Sequence, residues 1–216
     1  MDLWDDIESI ERMIDSEEKL YQEQALINVQ KAKNGFSVER EYMNSKAYHD
    51  KFERLPVNKD VQESIYKQVG RLMNEVDGQS EERMVAINGR TGEFLVDNFN
   101  RKGSTDKTGF TTEEYEKVIQ CPDSVILINN HSYNVVPSGA DLYMYNREKK
   151  VKLSIIACHD GDVYAIYKTT KIFEDSYMRL LHDCISRYGE KDGKKMITAI
   201  LYKANKNDCL FTVKKL

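Results

Sequence analysis

The sequence has little of several features that would assign a protein to a broad class. Only three prolines and eleven glycines occur among 216 residues, so we expect no long disordered linker. The net charge is −4, whereas a protein that binds the phosphate backbone of nucleic acid usually carries a basic surface, so we do not expect nucleic acid as a partner. No apolar run approaches the ~18 residues of a membrane-spanning helix, and we expect no membrane partner.

Cysteine is scarce as well. The four cysteines are far apart and form no C-x-x-C pair: Cys121, Cys158, Cys184 and Cys209. The opening residues are acidic, whereas the start of a secretory leader is basic. We therefore expect free thiols, a cytoplasmic protein and a complete gene product.

What is present fits a globular protein, because 40% of the residues are apolar and 31% are charged. Residues 1–78 carry apolar side chains three to four residues apart, which predicts an N-terminal helical extension. Ser37 is the expected N-cap of its third helix, and Asn58 or Asp60 that of its fourth. The helices are expected near 3–14, 21–33, 37–55 and 61–76.

From residue 79 onward apolar side chains recur about every two residues, which is typical of strands. The run 124–129 is continuously apolar, as in a central strand buried on both faces. Thr111 and Glu114 match the capping box of a short helix, and residues 194–216 form either a helix or a final hairpin. Residues 79–216 are thus predicted to be one α/β (α+β) domain, a mixed β-sheet flanked by helices. Its strands are expected at 83–88, 93–99, 124–129, 151–158 and 163–168, and its helices at 111–119 and 174–189.

One stretch of this domain, "ILINNHSYNVVPSGADL" (126–142), joins an apolar strand to a group of polar residues. Asn129 and His131 are two residues apart, so on an extended chain they point to the same face. Ser138 and Asp141 follow in the loop, and loops held by a rigid sheet often carry function. A glutamate just before the first strand can reach this loop if the first hairpin lies beside the central strand.

This arrangement resembles the JAMM (JAB/MPN) metalloprotease family, and the local sequence is most similar to that of the RadC-like and phage-encoded members. The family pattern is a glutamate on an early strand, His-x-His at the end of a buried strand, and Ser-x-x-Asp in the next loop. The resemblance covers residues 80–170 and implies a JAB/MPN-like, cytidine-deaminase-like sandwich. In that family two histidines and the aspartate hold Zn²⁺, the glutamate is the general base on the zinc-bound water, and the serine supports the site.

For the metal, the resemblance makes His131 and Asp141 ligands, while Asn129 stands where the family has its first histidine. An amide oxygen is a weaker zinc ligand than an imidazole nitrogen. We therefore expect zinc to be absent or weakly bound. A natural change and a deliberate substitution could each have produced Asn129.

For catalysis, the resemblance makes Glu82 the general base and Ser138 the supporting residue, with Glu81 as the rival for the base. The plainer interpretation is an ordinary polar loop with a serine turn and a solvated glutamate. The pair Cys158-His159 follows the next strand, either as a substitute ligand or as a buried cysteine before a turn.

The function implied is a zinc metallopeptidase or isopeptidase of a phage or mobile element, acting on a peptide or protein with a zinc-activated water. The alternative is a catalytically inactive member that keeps the fold as a binding or assembly module for a protein partner. A weaker third class, an accessory of nucleic-acid processing, follows from the RadC-like members, but the acidic balance counts against it.

Overall fold

The computed structural model shows a mixed α/β protein with a six-stranded mixed sheet. The chain divides into two compact units, which we call the sheet unit (28–136, 149–167 and 213–216) and the second unit (1–27, 137–148 and 168–212). The structure describes residues 36–103, 108–133, 137–139, 141–142, 145, 148–168, 179, 182–189, 193, 196, 198 and 211–216.

The strands follow the predicted ones closely. Their order across the sheet is β2-β1-β3-β4-β5-β6, in which β1 is antiparallel to β2 and β3, β3 is parallel to β4, and β4 is antiparallel to β5. The prediction of a central strand is confirmed, because β3 lies between β1 and β4. The bounds are β1 (Met84–Asn88), β2 (Phe94–Asp97), β3 (Val125–His131), β4 (Val151–Cys158), β5 (Val163–Lys168) and β6 (Phe211–Lys215).

The longest helix of the sheet unit starts where its cap was predicted. Of the two candidates, Asn58 is the cap, because its side chain accepts a hydrogen bond from the backbone N–H of Val61 at 2.9 Å. The predicted helices near 3–14 and 21–33 lie outside the described residues. Among the described residues of this unit, the helices are α1 (Arg40–Met43), α2 (Lys46–Phe52), α3 (Lys59–Val76) and α4 (Thr112–Gln120).

The single helix predicted over 37–55 is wrong, since two short helices replace it. Ser37 is not its cap, and α1 begins only at Arg40. The hydroxyl of Ser45 accepts a hydrogen bond from the backbone N–H of Tyr48 at 3.2 Å, and α2 starts there. A serine that bonds the backbone locally competes with a continuous helix, which explains the interruption.

Helix α3 packs on one face of the sheet. Its apolar stripe is fully buried and shares one core with side chains of β1, β3, β4 and β5. The stripe consists of Val61, Ile65, Val69, Leu72 and Val76. Residues of the predicted helical extension therefore pack on the strands of the sheet unit, and the division predicted at residue 78 stays a prediction.

Helix α4 covers the other face through Val118, which packs against Ala86 and Val125. Its predicted capping box is confirmed. The hydroxyl of Thr111 accepts from the N–H of Glu114 at 3.2 Å, and the carboxylate of Glu114 accepts from the N–H of Thr111 at 2.8 Å. The sheet unit thus has helices on both faces.

In the second unit, residues 182–189 are helical, in agreement with the described part of the helix predicted over 174–189. Burial raises the pKa of the Cys184 thiol in this helix to about 11. The tail contains helical residues at 193, 196 and 198 and ends in strand β6, so neither a helix nor a hairpin describes it alone.

None of the described cysteines is in a disulfide, which confirms that prediction for Cys121, Cys158 and Cys184, while Cys209 lies outside the described residues. None of the helices in the described ranges has both the length and the apolar character needed to cross a membrane.

Candidate functional site

The polar residues that follow the apolar run of β3 lie within the strand, because β3 continues two residues beyond the predicted 124–129. Asn129, Asn130 and His131 close the strand, and their exposed fractions are 3%, 0% and 4%. Buried polar side chains need partners, because an unpaired one costs about 1–3 kcal/mol. The polar side chains at the end of β3 therefore need partners within the protein, unlike the solvated side chains of a surface loop.

Successive side chains of the strand point to opposite faces of the sheet. We call these faces the α3 face and the α4 face, after the helices that cover them. Ile128 packs on the α3 face and Val125 on the α4 face. Asn129 and His131 are an even number of residues from Val125, so they lie on the α4 face. Asn130 lies on the α3 face.

The neighbouring strand β4 places further side chains beside these two. Asn129 is opposite Ile156, and His131 is opposite Cys158. Register partners in a parallel pair present their side chains to the same face, so the His131 imidazole and the Cys158 thiol are neighbours on the α4 face. Cys158 is fully buried and is not in a disulfide.

Glu82 approaches the end of β3 from the opposite side. The antiparallel pairing of β1 and β3 sets Met84 opposite Asn129. The pairing ends there, and Glu82 lies two residues before Met84, in a β-bridge. By alternation Glu82 shares the α4 face with His131 and Cys158. We call these three side chains the Glu–His–Cys row, and their ligand atoms are not all within 4.8 Å of one another.

Glu81, the rival candidate for the base, is engaged with another part of the chain. Its carboxylate forms an ion pair with the guanidinium of Arg83 at 2.7 Å and accepts from the backbone N–H of Gly103 at 2.9 Å. Arg83 also donates to the carbonyls of Asn98 and Arg101. Glu81 therefore fastens the chain that follows β2, whereas Glu82 lines a cavity.

A cavity of about 330 Å³ opens beside Glu82. This volume lies in the range of pockets that bind small ligands or single side chains. Most of the residues that line it are of polar types, and one of them, Arg101, is held by the carbonyl of Gly109 and by an ion pair with Glu114 at 3.2 Å. The other lining residues include Asn98, Lys102, Thr108, Phe110 and Thr111.

Asn130 fastens the start of β1 to the end of β3, a role that sequence reasoning missed. Its side-chain carbonyl accepts from the N–H of Arg83 at 2.7 Å, and its amide donates to the carbonyl of Glu81 at 3.0 Å. The same amide lies 3.4 Å from Nε2 of His159, whose Nδ1 donates to the carbonyl of Phe36 at 2.8 Å. A donating Nδ1 leaves Nε2 as the acceptor, which suits the neutral imidazole.

Tyr164 lies on the same face as Asn129, because it pairs with Ile156 across β4 and β5. Burial raises the pKa of its phenol well above the ordinary value. Tyr164 therefore stays protonated at neutral pH and presents a hydroxyl, not a phenolate, to this part of the sheet.

Ser138 and Asp141 belong to the second unit, where they form a reciprocal helix cap. Oδ2 of Asp141 accepts from the backbone N–H and from the hydroxyl of Ser138, both at 2.7 Å. Oγ of Ser138 in turn accepts from the N–H of Asp141 at 3.2 Å. The Ser-x-x-Asp spacing thus has a structural explanation of its own, the capping-box pattern with aspartate as the acid. The predicted convergence of Asp141 with His131 stays a prediction.

Comparisons with models of known protein families, with curated proteins and with solved structures found no match. The JAMM resemblance therefore rests on the residues quoted above. Fold class alone does not determine activity, so the function has to follow from the chemistry of the site.

Among the described residues, one group of three histidine, cysteine or acidic side chains has its ligand atoms within 4.8 Å of one another: His49, Asp50 and Glu53. These residues lie at the surface, on and just after α2. Asp50 is paired with Lys46 at 2.6 Å, and Nε2 of His49 lies 3.0 Å from a carboxylate oxygen of Glu63. These ion pairs account for the group, and we assign no metal to it.

Proposed function

We propose that this chain is a JAMM-like protein whose sheet is built to hydrolyse an amide bond with a zinc-activated water, and that Asn129 weakens its zinc site. The observation that carries the proposal is the pairing of β1, which Glu82 precedes by two residues, with β3, the buried central strand that ends in His131. Asn129 precedes His131 by two residues on the same face. The resemblance needs the glutamate strand beside the histidine strand, and β1 is paired with β3.

The donors fit a zinc ion in part. His131 offers an imidazole nitrogen, which zinc prefers, while Asn129 offers only an amide oxygen. The resemblance adds the carboxylate of Asp141, one oxygen of which is already the acceptor of the helix cap. A hydrolytic zinc site uses three protein ligands, so a set with two strong donors predicts weak binding.

Different residues of the chain would have different roles in hydrolysis. A bound zinc ion would lower the pKa of its water towards about 7 and so supply hydroxide at neutral pH. His131 would hold the ion, and the carboxylate of Glu82 would accept a proton from the attacking water and pass it to the leaving amine. The cavity beside Glu82 would receive the substrate side chain that flanks the cleaved bond.

Asn130 would keep this geometry fixed. Its two bonds to the backbone of residues 81 and 83 hold the chain on both sides of Glu82. A catalytic carboxylate has to stay within hydrogen-bond reach of the water that it activates. The buried amide therefore positions Glu82 without itself touching substrate.

The test compares Glu82→Gln with Glu81→Gln in a protein that carries Asn129→His. With zinc added, we expect Asn129→His to hydrolyse a mixture of fluorogenic peptides and Glu82→Gln to lower that rate by at least about 100-fold, the scale of general acid–base catalysis. Glu81→Gln is the matched control and should keep most of the rate. Equal loss in both variants, or no hydrolysis by Asn129→His, would contradict the proposal.

The second candidate is a binding or assembly module, and one exposed aromatic side chain favours it. Tyr133 follows the end of β3, is 40% exposed and packs edge-to-face on Phe36 at 5.3 Å between ring centroids. Exposed aromatic side chains are enriched where proteins bind one another. This candidate predicts no hydrolysis and no zinc in the protein or in its Asn129→His variant.

A further inference from the structure

The walls of the cavity beside Glu82 are fastened to the sheet unit by hydrogen bonds. Arg83, which is 5% exposed, donates to the carbonyls of Asn98 and Arg101. The side-chain amide of Asn98 donates in turn to Oγ1 of Thr108 at 2.9 Å. Asn98, Arg101 and Thr108 all line the cavity. Walls that are already fixed lose little conformational freedom when a ligand binds, which favours binding.

Arg101 keeps donors that the wall does not use. Its ion pair with Glu114 and its bond to the carbonyl of Gly109 both involve Nη2. A guanidinium has five N–H donors, so the two of Nη1 remain for another acceptor. Hydrogen bonds from a guanidinium are strongest to a carboxylate or a phosphate, because both partners are charged.

Lys102 adds a second positive charge to the cavity. Its side chain is exposed, and among the described residues no carboxylate pairs with its ammonium. Glu82 lines the same cavity with the opposite charge, so an anionic group is favoured only beside Arg101 and Lys102. The ring of Phe110 offers an apolar surface to the carbon atoms of a ligand. A short apolar stem that ends in a carboxylate fits these features, and glutamate and aspartate side chains have this form.

We propose that the cavity binds the carboxylate of an acidic side chain, glutamate or aspartate, that flanks the cleaved amide bond. Nη1 of Arg101 and Nζ of Lys102 donate to that carboxylate. The inference rests on the proposed function for calling the bound peptide a substrate, whereas the cavity and its charges belong to the sheet unit alone. The substrate class is then peptides or proteins with an acidic residue at the cleaved bond.

The experiment measures the binding of two capped tripeptides to the full chain by NMR, at neutral pH and without added metal. One peptide is alanine–glutamate–alanine and the other is alanine–glutamine–alanine, so they differ only in the charge of one side chain. The backbone signals of Gly103 and Gly109 report on the cavity, which both residues line. We expect the glutamate peptide to bind at least about 10-fold more tightly, the factor that a hydrogen bond between charged groups provides.

A charge reversal at Lys102 tests the assignment of the donors. Lys102→Glu places a like charge beside the bound carboxylate and should abolish the preference for the glutamate peptide. Lys117→Glu is the matched control, because it changes the net charge equally at an exposed position of α4 that does not line the cavity. The control should keep the preference of the unaltered protein.

The outcomes separate this inference from the proposed function. Equal binding of the two peptides, or a preference that survives Lys102→Glu, overturns the acid-binding cavity and leaves the hydrolase proposal standing. The expected preference together with no hydrolysis by Asn129→His supports the acid-binding cavity and overturns only its assignment to a substrate.

Discussion

At the scale of the residue, two adjacent asparagines have different roles because a strand turns successive side chains to opposite faces. Asn130 points to the α3 face and is bonded to the backbone of Arg83 and Glu81. Asn129 points to the α4 face, beside the Glu–His–Cys row. The sequence "INNH" predicted the shared face of Asn129 and His131. The role of Asn130 depends on a partner 47 residues away, so no local pattern reveals it.

The contribution of Asn130 can be measured directly. Asn130→Ala leaves a buried N–H and a buried carbonyl without their partner, which should lower the free energy of unfolding by about 2–5 kcal/mol. Urea denaturation followed by circular dichroism gives this value. Asn74→Ala, at an exposed position of α3, is the control and should stay within about 0.5 kcal/mol of the unaltered protein. A cost for Asn130→Ala no larger than that of the control would contradict the structural role.

At the scale of the element, the sequence predicted strands and the main helices well, because apolar period and caps are local signals. It failed over 37–55, where Ser45 interrupts a helix that the apolar spacing favours. It interprets Ser-x-x-Asp at 138–141 as a site motif or a serine turn and misses the helix cap, although the capping box recognised at Thr111 has the same form. The predicted strand ends at residue 129, two residues before the end of β3, because polar residues are usually typical of a loop.

A contact between the end of α3 and the segment before α1 makes the free energy of unfolding depend on pH. Asp77 follows α3 and accepts a hydrogen bond from the backbone N–H of Val38 at 2.8 Å. This bond and the nearby Arg40 guanidinium hold the pKa of the Asp77 carboxyl below its ordinary value. A carboxyl whose pKa is lower in the folded state stabilises the fold above its unfolded pKa of ~3.9. That stabilisation is lost as the pH falls through the folded pKa.

Asp77→Asn should therefore cost about 1 kcal/mol of unfolding free energy at pH 7, the scale of a half-exposed charged hydrogen bond. The difference between the two proteins should shrink at pH 3, which lies below the unfolded pKa of ~3.9, because the carboxyl is then largely protonated in the unfolded state. Urea denaturation at both values measures it, and the remaining carboxyl groups titrate alike in the two proteins. A difference that stays constant or grows towards acid pH would show that the charge of Asp77 is not responsible.

At the scale of the whole molecule, the predicted site residues belong to different units. Glu82, Asn129 and His131 belong to the sheet unit, while Ser138 and Asp141 belong to the second unit. Their order in the sequence was enough to suggest a shared site. Their arrangement in space depends on contacts between distant parts of the chain, which sequence spacing does not encode. Within the sheet unit, the residues that carry one imidazole and one thiol, His131 and Cys158, are register neighbours.

The central claim is that Asn129 occupies a ligand position of a zinc site, and the zinc content of Asn129→His tests it most directly. Each protein is loaded with zinc, dialysed and analysed for metal per chain. We expect about one zinc per chain for Asn129→His, because a third strong donor completes the set, and clearly less for the unaltered protein. Asn74→His adds a histidine at an exposed helix position and should match the unaltered protein. If Asn129→His held no more zinc than Asn74→His, the end of β3 would not be a metal site.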